Sequence, residues 1–222
     1  MRRIPALFFK VALLSAAFLI AAGCAAPRMA NTVRKAVQPA IPSYHQDTDG
    51  APIRRVAVLP MYFEEQQAAT PNELDLVFHA ELAKTSAFEV VTISREELRA
   101  HFGIPQFSSV EVIPRDVLMR LVADYGVDAV LFTDVTHYSP YRPISLGIRC
   151  KLVDARSGTQ RWVFDHVFDS GNPQVAIAAK QFDVEQESEQ LPIPPDGSNI
   201  LQSPSRFGKY VAHETYRSLL SI

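Results

Sequence analysis

Cysteine is almost missing from this chain: among 222 residues only Cys24 and Cys150 carry a thiol. Two cysteines cannot build a disulfide framework or a four-cysteine zinc site. Glycine is sparse as well, nine in all, and neither a glycine-rich phosphate loop nor a Gly-x-Ser-x-Gly nucleophile elbow occurs. No apolar run approaches the ~20 residues that a membrane-spanning helix needs. An excess of positive charge is lacking too, with 22 Lys and Arg against 24 Asp and Glu, so nothing in the balance favours a nucleic-acid partner.

What is present begins at the amino terminus. Arg2, Arg3 and Lys10 precede a short apolar stretch, Val11 to Ala22, that closes on small residues. A basic start, a short apolar middle and a small-residue finish describe a secretory signal, so residues 1–23 are expected to be removed. Ala21-Ala22-Gly23-Cys24 resembles the lipobox of bacterial lipoprotein signals, with Ala21 where a leucine is usual. The resemblance implies that Cys24 is acylated and becomes the first mature residue. Two or three acyl chains hold a protein to a bilayer almost permanently, since each buried methylene contributes about 0.8 kcal/mol. Ala25 follows in place of the aspartate that retains such proteins at the inner membrane, so the resemblance implies the periplasmic side of the outer membrane. Removing 23 residues leaves 222 − 23 = 199, and the loss of three cations moves the formal charge from −2 to −5. In that compartment Cys150 has no thiol to pair with, so no disulfide is expected.

Residues 24–52 are polar and small, with prolines at 27, 39, 42 and 52, and read as a flexible tether spanning about 30 Å on average and roughly 90 Å when taut. Residues 53–222 then read as a single α/β domain. "RRVAVLP" predicts a first buried strand ended by Pro60. Thr70, Pro71 and Glu73 mark the start of a helix that places Leu74, Val77, Phe78 and Leu82 on one face. "FEVVTI" is a second strand, Ser94 and Glu97 form a capping box for "SREELRAHFG", and 104–113 reads as loop. "PRDVLMRLVADYG" is a helix with Leu118, Leu121, Val122 and Tyr125 on one stripe and Gly126 as its left-handed stop, followed by the strand "VDAVLFTDV".

The pattern then changes to period two. Ile144, Leu146, Ile148, Cys150 and Leu152 alternate with polar residues, and so do Trp162, Phe164, His166 and Phe168. Pairing Asp154 with Gln160 sets Leu152 opposite Trp162, Cys150 opposite Phe164, Ile148 opposite His166 and Arg149 opposite Asp165. "PQVAIAAKQF" suggests a short helix, 185–204 a mobile acidic and proline-rich loop, and "SRFGKYVAHETYRSLL" a closing helix packed through Phe207, Tyr210 and Val211. The fold class that follows is α/β (α+β): a mixed sheet of about five strands with a β-α-β-α-β start, a two-strand antiparallel meander and a C-terminal helix.

Candidate chemistry is thin. His213 lacks a second histidine four residues on, where Arg217 stands, and His79-Ala80-Glu81 lacks the paired cysteines of a zinc deaminase, so no metal site is expected. Cys150 sits mid-strand on the apolar face, where a thiol is inert filling. Asp128, Asp134, Asp165 and Asp169 are expected on solvated faces or in strand-to-strand salt pairs, and His166 in the core, with His137 unassigned. No catalytic residue and no cofactor is expected. One stretch suits contact: "HYSPYRP", residues 137–143, sets Tyr138, Tyr141 and Arg142 among prolines between two strands.

"RRVAVLP", "YGVDAVLFTDV" and "LVDARSGTQRW" resemble segments of a small α/β domain shared by envelope proteins. These are the curli secretion-channel lipoprotein, lipoprotein activators of penicillin-binding proteins and the amino-terminal domain of the Tol-system propeller protein. The resemblance implies a non-enzymatic protein-binding or assembly module, meeting an envelope protein or a second copy of itself. Two other readings stand beside it. A subunit of an oligomeric secretion or pore complex would need alternating membrane strands beyond those already used by the meander. A periplasmic hydrolase would assemble its site from scattered residues near His137, His166 or the loop at 185–204.

Overall fold

The computed structural model describes residues 43–45, 52–63, 71–188 and 198–220. Along the chain run β1 (Ser43–His45), β2 (Arg55–Val58), α1 (Pro71–Lys84), β3 (Glu89–Thr92), α2 (Arg95–Phe102), α3 (Arg115–Tyr125), β4 (Ala129–Ser139), β5 (Ser145–Asp154), β6 (Gln160–Asp169), α4 (Pro173–Ser188), a 3-10 turn (Ser198–Gln202) and α5 (Pro204–Leu219). The strands form one mixed sheet in the order β1-β6-β5-β4-β2-β3. β2 is parallel to both β3 and β4 because helices carry the crossovers, while β4, β5 and β6 are antiparallel and joined directly.

β2 reads as a continuous apolar run because helices lie on both of its faces. Val56 and Val58 join a core against α1, α4 and α5, whereas Ala57 joins one with Leu98 of α2 and Leu121 of α3. On the first side α1 buries Leu74, Phe78 and Leu82, and Phe78 meets Tyr216 of α5 edge-on at 5.9 Å between ring centroids. On the second side α2 starts as its sequence dictates: Ser94 Oγ accepts from Glu97 N at 3.1 Å, and Glu97 Oε2 accepts from Ser94 N at 2.7 Å. Gly126 ends α3 at φ 64°, the conformation that favours glycine.

The meander holds the expected partners: Leu152 with Trp162, Cys150 with Phe164, Ile148 with His166 and Arg149 with Asp165. Asp154 does not pair with Gln160. Its Oδ1 accepts from Arg156 N and Ser157 N at 3.0 and 2.9 Å, which commits its side chain to the turn. An irregularity between Leu152 and Val153 then brings Val153 opposite Gln160. A second irregularity, between Val135 and His137, inserts Thr136 into β4 opposite Gly147.

Three further differences from the sequence reading concern element limits. β1 lies within the stretch read as tether: Ser43 pairs with Phe164 and His45 with Trp162, making the sheet six-stranded. Three residues with no apolar pattern give no strand signal of their own; the neighbouring strand supplies it. α4 continues to Ser188, past the expected loop start, because Glu and Gln are good helix formers and Asp183 is held by Arg206 at 3.3 Å. The 3-10 turn falls in the expected loop and seats Ile200 fully in the core. Residues 189–197 of that loop, Thr70, the stretch read as a signal sequence, Cys24 and most of the stretch read as tether lie outside the described residues.

Candidate functional site

The two sheet faces are covered unequally, and this decides what is available for contact. α1, α4 and α5 cover one face along the meander, where Ile148, Cys150, Leu152, Trp162, Phe164 and Phe168 are buried. α2 and α3 serve the opposite core around β2 and β4. On that opposite face the outward residues of β1 and β6 remain accessible, among them Tyr44, Asp165 and Val167. The expected cross-strand pair sits here, with Arg149 Nε donating to Asp165 Oδ2 at 2.7 Å.

His137 lies on this face, exposed at the end of β4, and its Nε2 is 2.7 Å from Ser145 Oγ on β5. Asp169 of β6 stands directly opposite Ser145 in register. A serine, a histidine and an aspartate therefore neighbour one another, but their setting is a flat run of three paired strands. The strand N–H groups beside Ser145 belong to the ladder, so no preorganised donor pair awaits a developing oxyanion there.

The contact stretch read as a connection is divided by the structure. His137, Tyr138 and Ser139 belong to β4, and Tyr138 packs its ring against the core. Tyr141 is 81% exposed, and Arg142 beside it is exposed too, followed by a cis Arg142-Pro143 bond. Arg142, Pro143, Ser170, Lys180, Leu201 and Gln202 line a cleft of ≈ 370 Å³ next to this tip. The tip thus combines an aromatic ring and a guanidinium in the open with a cleft that carries a second cation, Lys180.

Asp134 is the correction among the carboxylates. It is only 4% exposed, pointing from β4 into the loop 104–113, where it accepts from Ser108 Oγ (3.0 Å), Ser109 N (2.8 Å) and Ser109 Oγ (2.7 Å). Lys151 Nζ donates to the Ser109 carbonyl from the next strand. Asp128 is likewise structural, its Oδ2 accepting from Arg54 N and Arg55 N at 3.0 and 3.1 Å. An aspartate inside the otherwise apolar "VLFTDV" was the available sign that Asp134 is tied down. Ser108 and Ser109 carried no such mark.

Cys150 is fully buried beside Thr133, and loss of solvent pushes its thiol pKa up to about 12, which leaves it without thiolate character. His166 is half-buried with its ring edge-on to Phe168 at 4.8 Å, and burial lowers its pKa despite Asp165 nearby. Among the described residues no group of three His, Cys, Asp or Glu side chains could hold a metal ion, and no helix is long and apolar enough to cross a membrane.

No protein-family model matches the chain, and no curated protein does. Among solved structures it is similar to lipoprotein GNA1162 from Neisseria meningitidis, at 19% identity over 62% of this chain and 98% of that one, with a TM-score of 0.40. It is similar to the C-terminal domain of LpoB from Salmonella enterica, at 16% identity over 54% and 85%, TM-score 0.39. A third is PelC from Paraburkholderia phytofirmans, solved as a dodecamer, at 12% identity over 58% and 81%, TM-score 0.39. A lipoprotein is among the solved structures to which the chain is similar.

Proposed function

We propose that this chain is a lipoprotein of the bacterial envelope, acylated at Cys24, anchored at the periplasmic side of the outer membrane, and acting as a non-enzymatic module that binds or assembles envelope proteins. The anchor reading rests on the basic, short apolar, small-residue order of residues 1–24, and the choice of membrane on Ala25. The observation that carries the binding role is Tyr141, 81% exposed with exposed Arg142 beside it on a short connection between two long, paired strands. Tyrosine and arginine supply much of the energy of protein interfaces, and a tip held by two strands loses little entropy on binding. Tyr138, packed on the core, serves as the base on which the tip is fixed.

Two experiments test the two halves. Radiolabelled palmitate incorporation should be present in the natural chain and lost in Cys24→Ala; label that persists, or its absence from both, refutes the anchor. A photo-crosslinking amino acid at Tyr141 should capture a defined envelope protein in living cells, while the same group at exposed Leu76 should not. Equal capture from both positions would refute the tip as the contact surface.

A further inference from the structure

The groove between residues 110–115 and the β5–β6 turn has no role in this reading, and its chemistry is specific. It measures ≈ 420 Å³ and is floored by buried Leu118 and Val153. Val112 stands at its lip, 94% exposed. Three cations surround it, Arg115, Lys151 and Arg156, against one carboxylate, Glu111. Arg115 has no ion-pair partner among the described residues. Lys151 Nζ donates to a carbonyl, and Arg156 has only a 4.0 Å, solvent-screened approach to Asp128. An apolar floor ringed by uncompensated cations fits an extended acidic peptide that carries branched apolar side chains.

The chain itself contains such a peptide. Residues 187–197, "ESEQLPIPPDG", hold three carboxylates, Glu187, Glu189 and Asp196, and no lysine or arginine, with Leu191 and Ile193 set among prolines. We infer that the 187–197 segment of one copy docks in the Arg115/Lys151/Arg156 groove of a second copy, joining chains head to tail.

Both ends of this segment are fixed on the sheet side away from the groove. Gln186, near the end of α4, lines a cleft with Glu81, His213 and Leu220 on the α1/α5 side of the sheet, whereas the groove opens on the α3 side. α4 is 16 residues, about 24 Å, long. Leu201 lies beside Pro143 and Ser170, close to where α4 begins. The nine residues between Ser188 and Ser198 reach about 30 Å at full stretch, against the ~24 Å return along α4, which leaves little slack for a detour within one molecule. A donor surface and an acceptor surface at different places give a heterologous contact, which propagates into a ring or a filament.

The full chain, purified in detergent, provides the test. Two differently tagged copies, one with Val112→Cys and one with Ile193→Cys, are mixed and oxidised with diamide. The mixed-tag disulfide dimer is expected, and neither copy alone should match its yield. A copy with neither substitution controls for Cys24. Arg115→Glu with Lys151→Glu in the acceptor should lower the yield at least ~10-fold, because like charges then face each other. Glu187→Lys, Glu189→Lys and Asp196→Lys in the donor should restore it. The inference is overturned if the mixed dimer does not form, if charge reversal leaves its yield unchanged, or if Arg115 and Lys151 instead mediate binding to phosphatidylglycerol vesicles with no dimer. Repeated with Cys24→Ala in both copies, these outcomes do not depend on whether Cys24 is acylated.

Discussion

The carboxylate of Asp134 and the backbone and hydroxyl of Ser109 meet at 2.8 and 2.7 Å, fastening a loop of ten residues to the middle of the sheet. A buried acid with three donors is stable only while all three remain. Asp134→Ala removes the acceptor and leaves the Ser108 hydroxyl and the Ser109 hydroxyl and backbone N–H facing an empty site. The expected cost is about 2–3 kcal/mol, read by urea denaturation, with earlier proteolytic cutting inside 104–113. Ser109→Ala, which spares the backbone bond, should cost about half as much.

Gly147 faces Thr136 where the extra residue enters β4. A Cβ at 147 would lie 2.6 Å from Thr136 Oγ1 and 3.1 Å from His137 N. The backbone contact cannot rotate away, so Gly147→Ala is expected to destabilise by about 1–3 kcal/mol in the same assay. A Thr136→Ala background removes only the first clash and should recover part of that loss.

Cys150 offers a labelling test of the core. With its thiol pKa pushed up to about 12 and no exposure, Cys150 in a Cys24→Ala chain should resist maleimide at pH 7.5, and the thiol should react in urea. Rapid native labelling would mean that β5 is not packed under α5.

Acid should weaken the fold through histidine before it does so through carboxylates. Burial lowers the pKa of His79, whose Nε2 is buried without a hydrogen bond, and of His166. The unfolded chain therefore binds more protons just below pH 6.5, and stability falls from there toward the lowered folded values. Glu214 runs the other way. Burial raises its pKa despite Arg217, so its ionised form costs stability as pH rises from about 4.5 through the folded value. Urea titrations at pH 7, 6 and 5 should show a decline that is shallower in His79→Gln. Glu214→Gln should compare better with the natural chain at pH 7 than at pH 4.

Alternation made the meander legible. Each side chain on β5 and β6 reports its face, and a one-residue slip would have placed Trp162 and Phe164 in water, so partners such as Arg149 and Asp165 could be paired from sequence. Caps did the same for α2 and α3, where Ser94, Glu97 and Gly126 act within a few residues of themselves. β1 was not legible because a three-residue edge strand owes its form to β6. The Asp154 turn was misplaced by one residue because an Asx turn and a bulge leave the hydrophobic pattern intact. Of the contact stretch, the exposure of Tyr141 and Arg142 agrees with their chemistry, but Tyr138 was assigned to a connection when it continues β4. The cationic groove assembles Arg115 with Lys151 and Arg156 from separate elements, and no local spacing announces such a meeting.

The three-residue β1 has a mechanical consequence. Among the described residues, tension applied at Ser43 enters the fold through three residue pairs with β6, the outermost ladder of the sheet. That ladder gives way well before the long seams among β4, β5 and β6. The core stays closed while β1 detaches, so the first response to a pull is the loss of one edge strand and not unfolding.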